Sequence, residues 1–137
     1  MDQLYKNLKQ FTESGSGPIK LLKQGEVAIG LALTFQAVSE SNEGQPFRII
    51  FPETGSPYNL TGTALLKGRS ADPEICEVFD FIIHDFLSYD KEYFSPEPIY
   101  EGQVNRIANY PTQIPYANME GIQSREEKER LLALWKY

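Results

Sequence analysis

The sequence predicts an α/β fold with mainly parallel strands flanked by helices. Two apolar runs and the link between them lead there. "VAIGLAL" (27–33) is an unbroken apolar run of the kind found in strands covered on both faces. "FRIIF" (47–51) is a second run, rich in β-branched and aromatic residues. Between them "TFQAVSES" (34–41) reads as helix and "NEGQP" as a turn. Strand, helix and strand with short links make a βαβ unit, whose crossover is expected to be right-handed.

The other elements follow from local signals. Leu4, Tyr5 and Leu8 repeat at helical spacing over residues 2–9, and "KQFT" reads as a short strand. The "SGSGP" turn then opens a helix. Pro18 suits its first position, Ser16 or Gly17 its cap, and Gly25 its left-handed stop. "PETGSPYN" is a loop, and "LTGTALLKG" (60–68) reads as a third strand. Asp72 caps a helix with Pro73 at its first position. Ile75, Val78, Phe79, Ile82, Ile83, Phe86 and Leu87 give that helix one wide apolar face. Residues 88–121 hold prolines and tyrosines without periodicity and read as a long irregular connection. Ser124 with Glu127 forms a capping box for a last helix, whose stripe is Leu131, Leu134 and Trp135.

The totals narrow the function. The chain has 137 residues, the size of one ordinary domain, and a net charge of −6. That charge argues against nucleic acid, whose phosphates demand a basic surface. No apolar run is long enough to span a bilayer, and the N-terminus lacks the apolar core of a signal peptide. One cysteine, Cys76, excludes an internal disulfide and reads as a buried, inert thiol. With one histidine and one cysteine, no His/Cys metal cluster is expected, and no cofactor is called for. His84 has no nucleophile placed near it by sequence, so no catalytic role is assigned to it. Tyr89, Tyr93, Tyr100, Tyr110 and Tyr116 read as packing of the proline-rich connection rather than an aromatic cage.

The motifs in order, "SGS", "GEVAIGLAL", "GSPYNLTGTALLKG" and "FDFII", resemble the C-terminal half of an extracytoplasmic solute-binding protein of an ABC importer. The nearest likeness is to the ferric-iron-binding type, with the type II periplasmic-binding-protein fold. This resemblance implies two lobes with a ligand clamped between them. Residues 1–54 would belong to the second lobe and 55–105 to the first, with 106–137 returning to the second. It also implies a fold that is incomplete without an N-terminal half, and a full-length protein that is periplasmic or a cell-surface lipoprotein. Uncovered strands would then invite a homo-oligomer or strand exchange.

Three groups of residues are the candidate ligand-binding set. Ser14, Gly15 and Ser16 form a small-residue turn before a helix, where backbone N–H groups and two hydroxyls can approach an oxygen. Thr34, Phe35 and Gln36 lie where the 27–33 run ends, and ligands of open α/β sheets bind at such ends. In the iron-binding relatives this place carries two tyrosines. Phe35 and Gln36 stand there instead, and neither can act as a phenolate ligand, which argues against ferric iron. Ser56, Tyr58 and Asn59 lie at the expected crossing between lobes, where a plain hinge loop is the competing reading.

The function expected is binding without turnover. A small polar or anionic solute, or a chelated metal, would be captured and delivered to the permease subunits of the importer. The rivals are an enzyme and an intracellular ligand-sensing domain built on the same two-lobed fold. The first would need an acid–base or nucleophile set, and none stands out. The second would need a fused DNA-binding segment.

Overall fold

The computed structural model describes residues 2–122 and 124–134. In chain order the elements are α1 (Asp2–Tyr5), α2 (Gly17–Lys23), α3 (Thr34–Asn42), α4 (Pro73–Phe81), a π-helical turn (Ile82–Phe86), α5 (Leu87–Tyr93) and α6 (Arg125–Leu134). Among the described residues there is no β-sheet. A lone parallel bridge joins Ser56 and Tyr116. The expected α/β fold, with its parallel strands and βαβ unit, is therefore corrected. Residues 27–33, 47–51 and 60–66 are free of helix but pair with nothing, and "KQFT" is likewise no strand. The physical reason is that an apolar run specifies what a strand would bury but not its neighbour. A strand's backbone bonds come only from another segment set beside it.

The helices follow their local signals closely. α2 ends in the expected left-handed glycine: Gly25 has φ +69°, its N–H donates to Leu22 O, and the Glu26 N–H donates to Leu21 O. α3 ends the same way. Gly44 has φ +96° and donates to Ser41 O, and the Gln45 N–H donates to Glu40 O. Asp72 caps α4 by accepting from the Ile75 N–H at 3.5 Å, with Pro73 in the first turn. At α6 the Ser124 hydroxyl accepts the Glu127 N–H at 3.1 Å, while the Glu127 carboxylate turns to Arg130 instead of completing the box. Leu131 and Leu134 are exposed, and Trp135 lies outside the described residues. α1 stops at Tyr5, short of the expected helix over 2–9.

The helix from Asp72 outlasts its apolar face and runs to Tyr93 through the π-helical turn. There the Leu87 N–H reaches back to Ile82 O. Two neighbouring carbonyls are taken by hydroxyls: Tyr100 Oη donates to Ile83 O at 3.2 Å, and Ser88 Oγ donates to His84 O at 2.5 Å.

The interior is small. Ile19, Val38 and Tyr110 are the buried hydrophobic residues among those described. The accessible surface is 11433 Å², against about 7,200 Å² expected of a compact monomer of this mass. The excess is about 4,000 Å², and large apolar side chains are exposed along the chain, Ile29 at 84% and Leu31 at 82%.

Candidate functional site

The Ser14–Gly15–Ser16 turn is a local necessity before it is anything else. The Gly17 N–H donates to Ser14 O at 3.0 Å, and Thr12 Oγ1 donates to the same carbonyl at 3.1 Å. A side chain at Gly17 would collide with Thr12, its Cβ standing 2.4 Å from the Thr12 Cβ, so the turn closes only around glycine. Ser16 occupies the cap position of α2, yet its side chain makes no cap bond. Ser14 Oγ and Ser16 Oγ sit 3.5 Å apart. The two hydroxyls thus face each other, and Ser16 is not spent on capping α2 as in an ordinary capped turn.

Leu33 connects this turn to the second group. A Cβ on Gly15 would be 3.8 Å from Leu33 Cδ1, and Leu33 O accepts the Gln36 N–H at 3.2 Å. Thr34, Phe35 and Gln36 form the first turn of α3 and are half-buried. Gln36 Oε1 is buried and accepts no hydrogen bond from the described residues. Burying an amide oxygen without a donor costs about 1–3 kcal/mol, so this atom marks where a donor is wanted. Glu40 Oε2, one helical turn on, is buried but satisfied by Lys23 Nζ at 2.6 Å. Its hydrogen bond and charge hold the Lys23 ammonium above its ordinary value.

The third group lies elsewhere. The Ser56 N–H donates to Pro115 O at 2.6 Å, and the Ala117 N–H donates to Ser56 O at 3.0 Å. The Tyr58 ring stands edge-on to Tyr116, centroids 5.6 Å apart. Gly55 makes this junction possible. Its φ is +95°, and a Cβ there would stand 2.5 Å from the Ala117 nitrogen. Asn59 is exposed. Among the described residues no hydrogen bond or ring contact links Ser56, Tyr58 or Asn59 to the first two groups. Leu33 thus lies between the Ser14–Ser16 turn and the start of α3, and 56–59 form a separate junction.

A polar cluster in the proline-rich connection escaped the sequence reading. Tyr110 Oη donates to Glu97 Oε1 at 2.5 Å, Ser95 Oγ donates to Glu97 Oε2 at 2.8 Å, and Lys91 Nζ donates to Ser95 O at 2.9 Å. Gln103 fastens the next turn, donating to Pro96 O at 3.0 Å while its Oε1 accepts the Ile99 N–H. Burial pushes the Glu97 carboxyl up. The hydrogen bonds from Tyr110, its own backbone and Ser95, with the Lys91 charge, outweigh that and hold it below the usual carboxylate range. Burial first, and then the Glu97 carboxylate, push the Tyr110 phenol well above its ordinary value. The signal for this cluster was present in "SPEP", an acid fixed between two prolines, but its tyrosine partner is distant in sequence. The tyrosines divide among separate contacts: Tyr89 packs on Tyr93 with rings tilted by 41° and centroids 4.8 Å apart, and Tyr100 bonds the π-helical turn. Cys76, expected to be buried, is half-exposed and donates to Ser70 O at 3.3 Å.

A shallow hollow lies on the flank of α4 and the π-helical turn, beside Cys76, Asp80 and His84, and no predicted site residue lines it. Among the described residues no group of His, Cys, Asp and Glu could hold a metal ion, and no helix is long and apolar enough to cross a membrane.

No family profile and no solved structure matches the chain. A stretch of 68 residues, half of the chain, is 32% identical to an uncharacterized protein of Haemophilus influenzae. That stretch spans 20% of the length of the Haemophilus protein.

Proposed function

We propose that this chain is part of the solute-binding component of an ABC importer, capturing a small polar or anionic solute, or a chelated metal, for delivery to the permease subunits. The observation that supports this reading best is Gln36. Its side-chain oxygen is buried without a donor, and Leu33 joins its helical turn to a serine pair that caps nothing. An oxygen-rich solute that also carries a hydroxyl or protonated oxygen answers both needs. It accepts from Ser14 and Ser16 and donates to Gln36. The order of the four sequence motifs supports the same assignment, and with it a full-length protein that works outside the cytoplasm.

The test is calorimetric titration of the chain with inorganic phosphate, methylphosphonate, citrate and ferric citrate, followed by mass analysis of the recovered solute. Binding of one of them, weakened about tenfold in the Ser14→Ala/Ser16→Ala variant and with the solute recovered unchanged, supports the proposal. Chemical conversion of the solute, or no binding of any of the four at millimolar concentration, overturns it.

A further inference from the structure

We propose that Asn59 is a glycosylation site, taking a sugar on its side-chain amide nitrogen. The chain has one Asn-x-Ser/Thr pattern with x other than proline, Asn59-Leu60-Thr61. A three-residue pattern recurs by chance, and its setting decides whether an enzyme can use it. Here the setting separates Asn59 from other asparagines. Asn42 donates to Ala108 O and Asn109 donates to Asn42 Oδ1, so both amides tie distant segments together. Asn105 and Asn118 each accept a backbone N–H two residues on, from Ile107 and Glu120, and so shape their own turns. The Asn59 side chain is exposed and makes no hydrogen bond with the described residues. The asparagine whose amide the fold does not use is the one that heads the acceptor pattern.

The surrounding chain can enter an enzyme's cleft. Residues 57–64 are exposed and carry neither helix nor strand. Leu60 is 71% exposed, and a Cβ on Gly62 would meet nothing within 4 Å. The Thr61 hydroxyl, two residues after the acceptor, is exposed beside it for the transferase to grip. On the other side, the edge contact of Tyr58 with Tyr116 fixes where the segment leaves the body of the molecule. The donor is a sugar activated at its anomeric carbon by phosphate, on a nucleotide or on a lipid pyrophosphate. Asn59 Nδ2 forms a bond to that carbon. The bond from carbon to phosphate oxygen breaks, its electron pair leaves with the phosphate, and one amide proton passes to a base of the transferase. The site rests on these residues alone and stands whether or not the chain binds a solute.

The experiment is peptide mass mapping of the full chain isolated from the cells that make it. The peptide holding Asn59 should carry added sugar mass, lost in Thr61→Ala and kept in Thr61→Ser. Both substitutions fall on an exposed, unpaired segment, so both variants should keep the helical circular dichroism signal of the wild type. The same mapping, from cells whose assembly of lipid-linked sugars is blocked, tells the two donors apart. Sugar lost there supports the site with a lipid-linked donor, and sugar kept supports it with a nucleotide sugar. An unmodified Asn59 in the wild-type chain overturns the proposal. So does a sugar that persists in Thr61→Ala, or one that maps to another residue.

Discussion

Residues 27–33 and residues 94–122 are both irregular, yet they meet their chemical demands in opposite ways. The first is apolar, makes no backbone hydrogen bond across 27–32 among the described residues, and holds its largest side chains in water. The second is rich in proline, and its polar groups are satisfied by its own and nearby side chains. Glu97 serves Tyr110 and Ser95, Gln103 serves Pro96 and Ile99, and Arg106 pairs with Glu92. Asn42 ties the second region to α3 by donating to Ala108 O at 2.8 Å and accepting from Asn109. The contrast teaches that a stretch without regular structure can still be held in place when polar side chains, near in sequence or far, supply its hydrogen bonds. An apolar run cannot close on itself in that way.

The largest test of this contrast is Tyr110→Ala. It removes one of the few buried side chains and strands the Glu97 carboxylate. It should cost about 3 kcal/mol or more in urea unfolding, while truncation of the exposed Ile29 to Ala should change monomer stability by less than about 0.5 kcal/mol. Equal losses would erase the distinction between the two regions.

A second test compares caps. Asp72→Ala should cost about 1 kcal/mol because its side chain bonds the Ile75 N–H. Ser16→Ala should fall within about 0.5 kcal/mol of the wild type, because no cap bond is lost. A full cap penalty at Ser16 would mean that its hydroxyl is spent locally and is not available to a solute.

The smallest effect is on pH. The folded-state shift of Glu97 is downward, so its contribution to stability is fully present above the ordinary carboxyl value of 4.5 and is lost as pH falls below it. The shift of Tyr110 is upward, so its contribution is present below 10 and is lost as pH rises beyond that value. Stability of the wild type should therefore fall on both sides of this window more steeply than that of Glu97→Gln, as read from urea midpoints. Parallel profiles would show that Glu97 does not govern the connection.

The helices were legible because their signals are local. Asp72 with Pro73, and Gly25 at its stop, each act within one turn of chain, and each behaves as the sequence indicates. The βαβ unit expected from 27–33 and 47–51 does not form, because an apolar run names a need and not a neighbour. Of the candidate site, Leu33, which precedes Thr34–Gln36, approaches Gly15 of the serine turn. The crossing residues Ser56, Tyr58 and Asn59 do not join them, since Gly55 turns that loop onto Tyr116 and Ala117 instead. Glu97 was missed for a related reason: proline context marked it, but its phenol partner lies 13 residues away.

The π-helical turn at Ile82–Phe86 sets the helix a problem of counting. One residue too many for an α-helical turn rotates everything downstream by about 100° about the axis. The tyrosine pair at 89 and 93 therefore points in a direction that the apolar spacing of 75–83 alone would not assign. A related chain lacking one residue in this turn would carry the same amino acids on α5 and present them to a different neighbour. In such a comparison a single gap in the alignment, with no substitution at all, would be enough to redirect one side of the molecule.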